Sequence, residues 1–409
     1  MADSIATASE AQAQSSEGAK DHLLEELVQR ARSMYPRLRE RAGAAERMRR
    51  LPAETMTEFA QADFFKTLQP SRYGGYELDY GTSQVRIGTE LARACGSSSW
   101  VFSITACHSW IAGMFPLAAQ EDVWSAGPET LLGSSFAPEQ VRVEPAGGGV
   151  KLWGQWKFSS GVDFAQWVIL GGLPIACPGG QPELHWCLVP LGDFRVLDTW
   201  HAAGLRATGS NDVVVEGAWV PAHRLVPARA FYEGSGPGTA ANRCHIFRLP
   251  LSGCFGYNLA APAPGIAQGA LEAFCERAKN QPQRVGRPRI ADNELNQLQV
   301  AEAAVMIECA SWLLLRDARD LNDTARRGQP INPAMRALNR RDLAYAGQLC
   351  LRAVDLINSM SGAHGIDEDN PVQRSFRDLH ALTAHIGMQW RNAAGDGQYR
   401  MGQTIREGW

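Results

Sequence analysis

The sequence predicts a mostly helical protein with a β domain in its middle. Three observations carry this. Apolar residues recur at spacings of three and four from residue 21 to about residue 127. Between 128 and 231 the pattern changes to short alternating or valine-rich runs separated by Gly and Pro. From 251 to 409 the helical period returns. This order predicts an N-terminal helical domain (21–127), a middle antiparallel β domain (128–231) and a C-terminal helical bundle (251–409).

The elements follow in order. Residues 1–20 are rich in Ala, Ser, Gln and Glu and read as a disordered tail without the basic and apolar regions of a signal peptide. Leu23, Leu24, Leu27, Val28 and Ala31 make the first helical stripe. Residues 54–62 and 82–94 are further helices, the second stopping near Gly96. Residues 100–115 are apolar and small, which predicts a buried helix. Strands are expected at 141–144, 150–154, 167–170, 184–189 and 213–216. Residues 232–250 connect the β domain to the last bundle, and the Gly/Ser/Pro-rich part, 232–242, reads either as a linker or as a lid over a pocket. Residues 293–315 form a long helix with Leu295, Leu298, Ala301, Ala304, Val305 and Cys309 on one stripe, and 334–356 and 372–394 form two more.

Bulk properties exclude several classes. A net charge of −3 leaves no electrostatic footprint for nucleic acid. The nine cysteines are dispersed, with no CxxC and no zinc spacing, so reduced thiols in a cytoplasm are expected and no metal site. No run of about 18 apolar residues stands out, so no membrane span is expected.

The segment 156–167, WKFSSGVDFAQW, carries the most chemistry. Two hydroxyls beside a glycine at a strand's edge let a flat ligand approach the backbone and meet a hydrogen-bonding side chain. The other reading is a plain Ser-Gly turn. His108 lies in an apolar helical run, where a core histidine and a working one look alike. His380 and His385 are five apart and do not share a helix face.

The three-part order, with Gly204-Leu205-Arg206-Ala207-Thr208-Gly209-Ser210-Asn211-Asp212, residues 292–302 (DNELNQLQVAE) and the Arg374/Arg377-Asp378 segment, resembles the acyl-CoA dehydrogenase fold. Four segments are similar to the flavin-dependent aromatic hydroxylases of that fold, the oxygenase components of two-component systems such as the 4-hydroxyphenylacetate and secosteroid phenol hydroxylases. They are Ala106-Cys107-His108-Ser109-Trp110, residues 133–138 (GSSFAP), Phe158-Ser159-Ser160-Gly161 with Asp163 and Trp167, and Arg377-Asp378-Leu379-His380 followed by His385. The true dehydrogenases carry a carboxylate base in a late Glu-Gly-Thr-like turn; here the late turn is His385-Ile386-Gly387-Met388.

The resemblance implies reduced flavin (FMNH2 or FADH2) and O2, a C4a-hydroperoxyflavin, and hydroxylation of a small aromatic substrate (phenolic, indolic or polycyclic). It also implies a separate NAD(P)H:flavin reductase and a homotetramer. No Gly-x-Gly-x-x-Gly follows a strand, so NAD(P)H is not expected on this chain. By resemblance, Ser159 meets flavin N5, with Ser160 as the alternative register. His108 assists ionisation of a phenol with Ser134 or Ser135 nearby, and His385 is the second active-site histidine. Catalytic roles thus fall to His108, Ser135, Ser159 and His385. Cofactor contacts fall to Ser134, Ser159, Ser160, Trp156, Arg206, Arg248 and His385. Val162 and Phe164 replace the Cys and His that often follow Ser-Ser-Gly, and Phe136 stands where Tyr is common, which points to a more apolar pocket. The alternatives on the same fold are an acyl-CoA dehydrogenase, an N-oxygenase and a non-catalytic flavin-binding protein.

Overall fold

The computed structural model describes residues 2–176, 180–280 and 289–405; Cys177, one of the nine cysteines, lies outside them. Among the described residues the chain opens with α1 (Ala2–Ser33), α2 (Tyr35–Met48), α3 (Ala53–Gln61), α4 (Thr82–Ala94), α5 (Gly96–Ala112) and α6 (Leu117–Trp124). Helix α1 runs through the stretch expected to be a disordered tail. Its Ala, Glu and Gln residues are strong helix formers. From residue 17 on it is also tied down, with Glu17 paired to Arg326 and Lys20 Nζ donating to the Glu77 carbonyl at 2.6 Å.

The β domain comprises β1 (Leu132–Ser135), β2 (Ala137–Ala146), β3 (Gly149–Ser159), β4 (Trp167–Ile175), β5 (Glu183–Pro190), β6 (Arg195–Leu197), β7 (Asn211–Pro221) and β8 (Leu225–Pro227). Two sheets, ordered β1-β4-β5-β8 and β2-β3-β7-β6, face each other over a core that includes Leu152, Trp156, Val168, Leu170, Val213 and Val215. Pairing is antiparallel except between β1 and β4, which run parallel. The chain leaves β1 for the other sheet, makes the β2–β3 hairpin there, and returns to lay β4 beside β1 in the same direction.

Then come α7 (Ala228–Glu233), α8 (Leu251–Cys254), α9 (Gly256–Ala260), α10 (Pro262–Asn280), α11 (Glu294–Arg326), α12 (Pro333–Met360), α13 (Pro371–Ala384) and α14 (Ala394–Arg400), with α10 to α13 packed as the bundle. Helix α11 has two apolar stripes. The inner one is Ala303, Ile307, Ala310, Leu314, Ala318 and Leu321. The stripe conspicuous in the sequence faces outward at Leu295, Leu298 and Val305, together with Trp312. With apolar residues on two faces, α11 contains a stretch long and apolar enough to cross a membrane, where the sequence reading expected none; its inner stripe is packed in the bundle.

One buried ion cluster locks the two helical domains and the β domain together. Glu46 on α2 accepts from Arg374 Nε at 2.9 Å and Arg377 Nη1 at 2.7 Å, both on α13. Arg377 Nη1 also reaches the Ala203 carbonyl at 2.8 Å. Burial raises the Glu46 carboxyl, but the two guanidiniums outweigh it and its pKa is lowered. Its stabilising contribution is therefore present above the unfolded carboxylate value and is lost as pH falls through the lower folded one. Glu46→Gln leaves two half-buried guanidiniums short of a carboxylate and is expected to destabilise the protein in denaturant unfolding by about 1–3 kcal/mol. Unfolding midpoints for wild type and variant should converge as the pH drops below about 4.

Candidate functional site

Helix α5 is buried at every position and carries no Asp, Glu, Lys or Arg. Its polar side chains must therefore find partners on whatever crosses it. His108 Nδ1 lies 2.6 Å from the Leu132 carbonyl, which only accepts, so Nδ1 carries the proton. Nε2 is then the acceptor, and Ser134 Oγ–H donates to it at 2.7 Å. Burial lowers the His108 pKa to about 4, against the smaller upward effect of the Leu132 carbonyl.

Alternation along β1 separates the serine pair. Ser134 turns to His108, while Ser135 donates to the Lys157 carbonyl and braces β3. The hydroxyl coupled to His108 is thus that of Ser134, not that of Ser135.

The end of β3 is irregular. Its register with β7 shifts between Trp156 and Ser159, and Phe158 sits at φ 66°. Left-handed backbone is uncommon for a bulky side chain and marks local strain. It sends Phe158 outward, 60 % exposed, and Ser159 inward, fully buried. Ser159 Oγ has no hydrogen-bond partner. It faces Gly133, where a Cβ would stand 3.2 Å from it.

Ser160 starts a directional chain. Trp100 Nε1 can only donate, and does so to Ser160 Oγ at 3.0 Å. Ser160 donates to Ser210 at 2.7 Å, Ser210 to Thr208 at 2.7 Å, and Thr208 to the Leu205 carbonyl at 2.9 Å. The Leu205 N–H in turn donates to Asp378 Oδ1 at 2.6 Å, and burial raises that carboxyl to about 6.

His385 enters from the opposite side. The helix expected over 372–394 stops at Ala384, and His385 leaves helical space at ψ 137°. Its Nδ1 accepts the Gly387 N–H at 3.1 Å, so the ring proton is on Nε2. Its ring lies 5.9 Å from that of Trp100, and burial lowers its pKa to about 4. The Gly387 turn also walls a cavity of about 330 Å³ whose lining includes Leu251, Phe255, Leu259 and Leu343 and the charged Arg229, Glu233, Arg336 and Arg340.

The structure thus makes two groups along α5: His108 with Ser134, beside Gly133 and Ser159, and Trp100 with Ser160 and His385. Trp156 does not join them. It fills the sandwich core with its indole N–H on the Gly171 carbonyl at 2.8 Å, because β3 alternation points it between the sheets. Arg248 is exposed and donates to the Arg243 carbonyl. Arg206 is half-buried in the turn that carries Thr208. Sequence reading missed Trp100, Thr208 and Ser210 as site residues; their signal was a tryptophan opening the apolar run and two hydroxyls in the 204–212 segment. The 232–242 segment is pinned to the end of α5, with Gly238 N–H on the Met114 carbonyl and the Asn242 amide on the Gly113 carbonyl.

Nitrogen-15 NMR of labelled protein should show His108 as the neutral Nδ1–H tautomer from pH 5 to 9, titrating with a midpoint of about 4. A midpoint near 6.5 would contradict the burial and the Leu132 contact.

Comparison with known proteins follows this geometry. Residues 21–122 match the model for the acyl-CoA dehydrogenase N-terminal domain, and residues 257–390 match that for the acyl-CoA dehydrogenase C-terminal domain. The oxygenase subunit HsaA of a flavin-dependent monooxygenase from Rhodococcus jostii is 34 % identical over 88 % of this chain and 93 % of its own. The oxygenase component of an FADH2-dependent resorcinol hydroxylase from a Rhizobium species is 34 % identical over 89 % of this chain and 91 % of its own. XiaF from a Streptomyces species, solved with FADH2 and glycerol, superposes with a TM-score of 0.88 at 27 % identity, covering 96 % of this chain and 99 % of its own.

Proposed function

Because the chain belongs to the acyl-CoA dehydrogenase family, among its flavin-dependent monooxygenase oxygenase components, we propose that its serine and histidine cluster is where reduced flavin and an aromatic substrate meet. The protein is an enzyme that uses reduced flavin and O2 and works with a separate partner component. The observation that carries the site is Ser159, a fully buried hydroxyl with no partner, set beside the His108–Ser134 pair on β1. The residues present fit a flavin there. A reduced ring offers an N–H at N5, and a neutral hydroxyl accepts that hydrogen bond without removing the proton. Ser159 would hold that edge and His385 Nε2–H would donate near it. Reduced flavin, when bound, supplies the electrons that activate oxygen.

The pair of His108 and Ser134 orients the substrate. A substrate hydroxyl donates to Ser134 Oγ, whose own proton is already committed to His108 Nε2. With His108 near 4 and a phenol near 10, outright proton transfer is uphill by about 8 kcal/mol in the empty site. The pair therefore acts first as an aimed acceptor that enriches the ring with electrons. The cavity at the Gly387 turn, which has both apolar walls and the charged groups of Arg229, Glu233, Arg336 and Arg340, has the volume for a substrate of one or two aromatic rings.

The partner is read as an NAD(P)H:flavin reductase. Relatives named or solved with FADH2 support FADH2 over FMNH2. Leu295, Leu298, Val305 and Trp312 along one outward face of α11 support a homotetramer, and the eight described cysteines, all free thiols, support a cytoplasmic setting.

The test measures product and hydrogen peroxide per O2 consumed, with chemically or enzymatically supplied reduced flavin and a panel of phenols and indoles. Ser159→Ala is expected to weaken reduced-flavin binding about tenfold, the worth of about one hydrogen bond, and to divert oxygen to peroxide. His108→Ala and Ser134→Ala should lower product yield at least tenfold while leaving flavin affinity within about twofold. Equal coupling in all three variants and wild type would refute these assignments.

A further inference from the structure

A second cluster of reactive groups lies outside the serine and histidine site. Cys244 Sγ is 3.7 Å from His245 Nδ1. The other ring nitrogen, Nε2, is 3.0 Å from Asn322 Oδ1 and 3.3 Å from Asp79 Oδ1. The Asn322 amide nitrogen already donates to the Tyr80 and Ala318 carbonyls, both at 2.7 Å, so its oxygen must face His245. Both neighbours of Nε2 are therefore acceptors, and Nε2 carries a proton. In a neutral ring Nδ1 is then the open acceptor, aimed at the thiol. This is the arrangement of a nucleophile, a base and a group that orients the base.

The electrostatics act in the same direction. Lys20 Nζ on α1 lies 3.8 Å from the Cys244 sulfur. Burial opposes the thiolate, but His245 and Lys20 outweigh it and the thiol pKa is lowered. Burial likewise opposes the imidazolium, but Asp79 and Cys244 raise His245 to about 9. Asp79 is itself paired with Arg326 of α11, and Arg326 also meets Glu17 and Asp323. His245, Asp79 and Lys20 line an open groove of about 1350 Å³, and Cys244 is half-buried in contact with His245 and Lys20.

We propose that Cys244 is a peroxide-reactive cysteine, activated by His245 and Asp79, and that hydrogen peroxide converts it to a sulfenic acid. The thiolate sulfur attacks one peroxide oxygen, forming an S–O bond as the O–O bond breaks. The departing hydroxide takes the Nδ1 proton of His245 and leaves as water. Sulfur loses two electrons and the peroxide gains them. Hydrogen peroxide is the product expected when reduced flavin and O2 react without oxygen transfer, so the oxidant arises in the enzyme's own chemistry. A thiol reductant restores the cysteine.

The test treats the full-length protein with limiting hydrogen peroxide, traps sulfenic acid with dimedone and maps adducts by mass spectrometry. The adduct is expected on Cys244 ahead of Cys309, which is exposed and lines the groove that His245 borders. Iodoacetamide alkylation of Cys244 in the wild type should show a pH midpoint below the ordinary thiol value of ~8.5. His245→Gln should move that midpoint upward and slow peroxide trapping at pH 7 about tenfold, and Cys244→Ser should abolish the adduct. Preferential labelling of Cys309, a wild-type midpoint at or above ~8.5, or no effect of His245→Gln would each overturn the proposal.

Discussion

Burying α5 along its whole length is the constraint on which the site depends. Trp100, His108 and Trp110 each carry a polar N–H into the core, and each must be met there. Trp100 is met by Ser160 at the tip of β3, His108 by Leu132 and Ser134 on β1, and Trp110 by the Ile246 carbonyl at 2.7 Å. Leaving one such group unpaired costs about 1–3 kcal/mol. The sandwich and the 244–248 turn therefore cannot slide along α5 without losing several kcal/mol at once. The position of the serines relative to the histidine follows from satisfying a helix, and Ser159, beside them, is among the buried side chains of the described residues that the same rule leaves unmet, as is Ser103 on α5 itself.

The two histidines are both neutral at pH 7, yet they face the site with opposite character. The difference is set by backbone. At His108 a carbonyl takes the Nδ1 proton and leaves an acceptor at Nε2; at His385 an N–H occupies Nδ1 and leaves a donor at Nε2. The Ser134 hydroxyl fills the acceptor at His108 Nε2, so that side presents the Ser134 oxygen, and neither histidine carries the desolvation cost of a buried ion. Any net charge in such a place has to arrive with the ligand, where low dielectric makes its partners count for more.

Much of this was legible in the chain. Residues 82–94 match α4 to the residue, and the small, apolar 100–115 run is the fully buried α5. The Ser-Ser-Gly segment could be read as a ligand-facing strand edge or as a turn; β3 ends at Ser159, and Ser160-Gly161 turn away from it. What the sequence could not convey was direction. Ser134 and Ser135 are chemically equal, and only the pleat of β1 decides which one meets His108. Trp156 looked like pocket lining beside those serines, yet a single bulge between it and Ser159 puts the two on different surfaces. Helix α11 carries apolar residues on two faces, so periodicity alone could not say which one the bundle covers.

The same question of direction bears on the substrate. Three residues suggested a pocket more apolar than that of a phenol hydroxylase, and the fold treats them unequally. Val162 is buried in the sandwich core, and Phe164 packs against the N-terminal helical core, so neither contributes a wall to the cavity beside His385. Phe136 is different. It follows β1 directly, stacks on Trp186 at 4.1 Å and meets Phe255 edge-on at 6.1 Å, and Phe255 does line that cavity. The apolar character thus rests on one aromatic contact between β1 and the start of the bundle. A tyrosine there would bring a hydroxyl to the boundary between Ser134 and the cavity; phenylalanine leaves Ser134 and His108 as the polar pair on that side. On the proposed reading, a hydroxylated ring would be anchored at that pair, with the charged groups of Arg229, Glu233, Arg336 and Arg340 also lining the cavity.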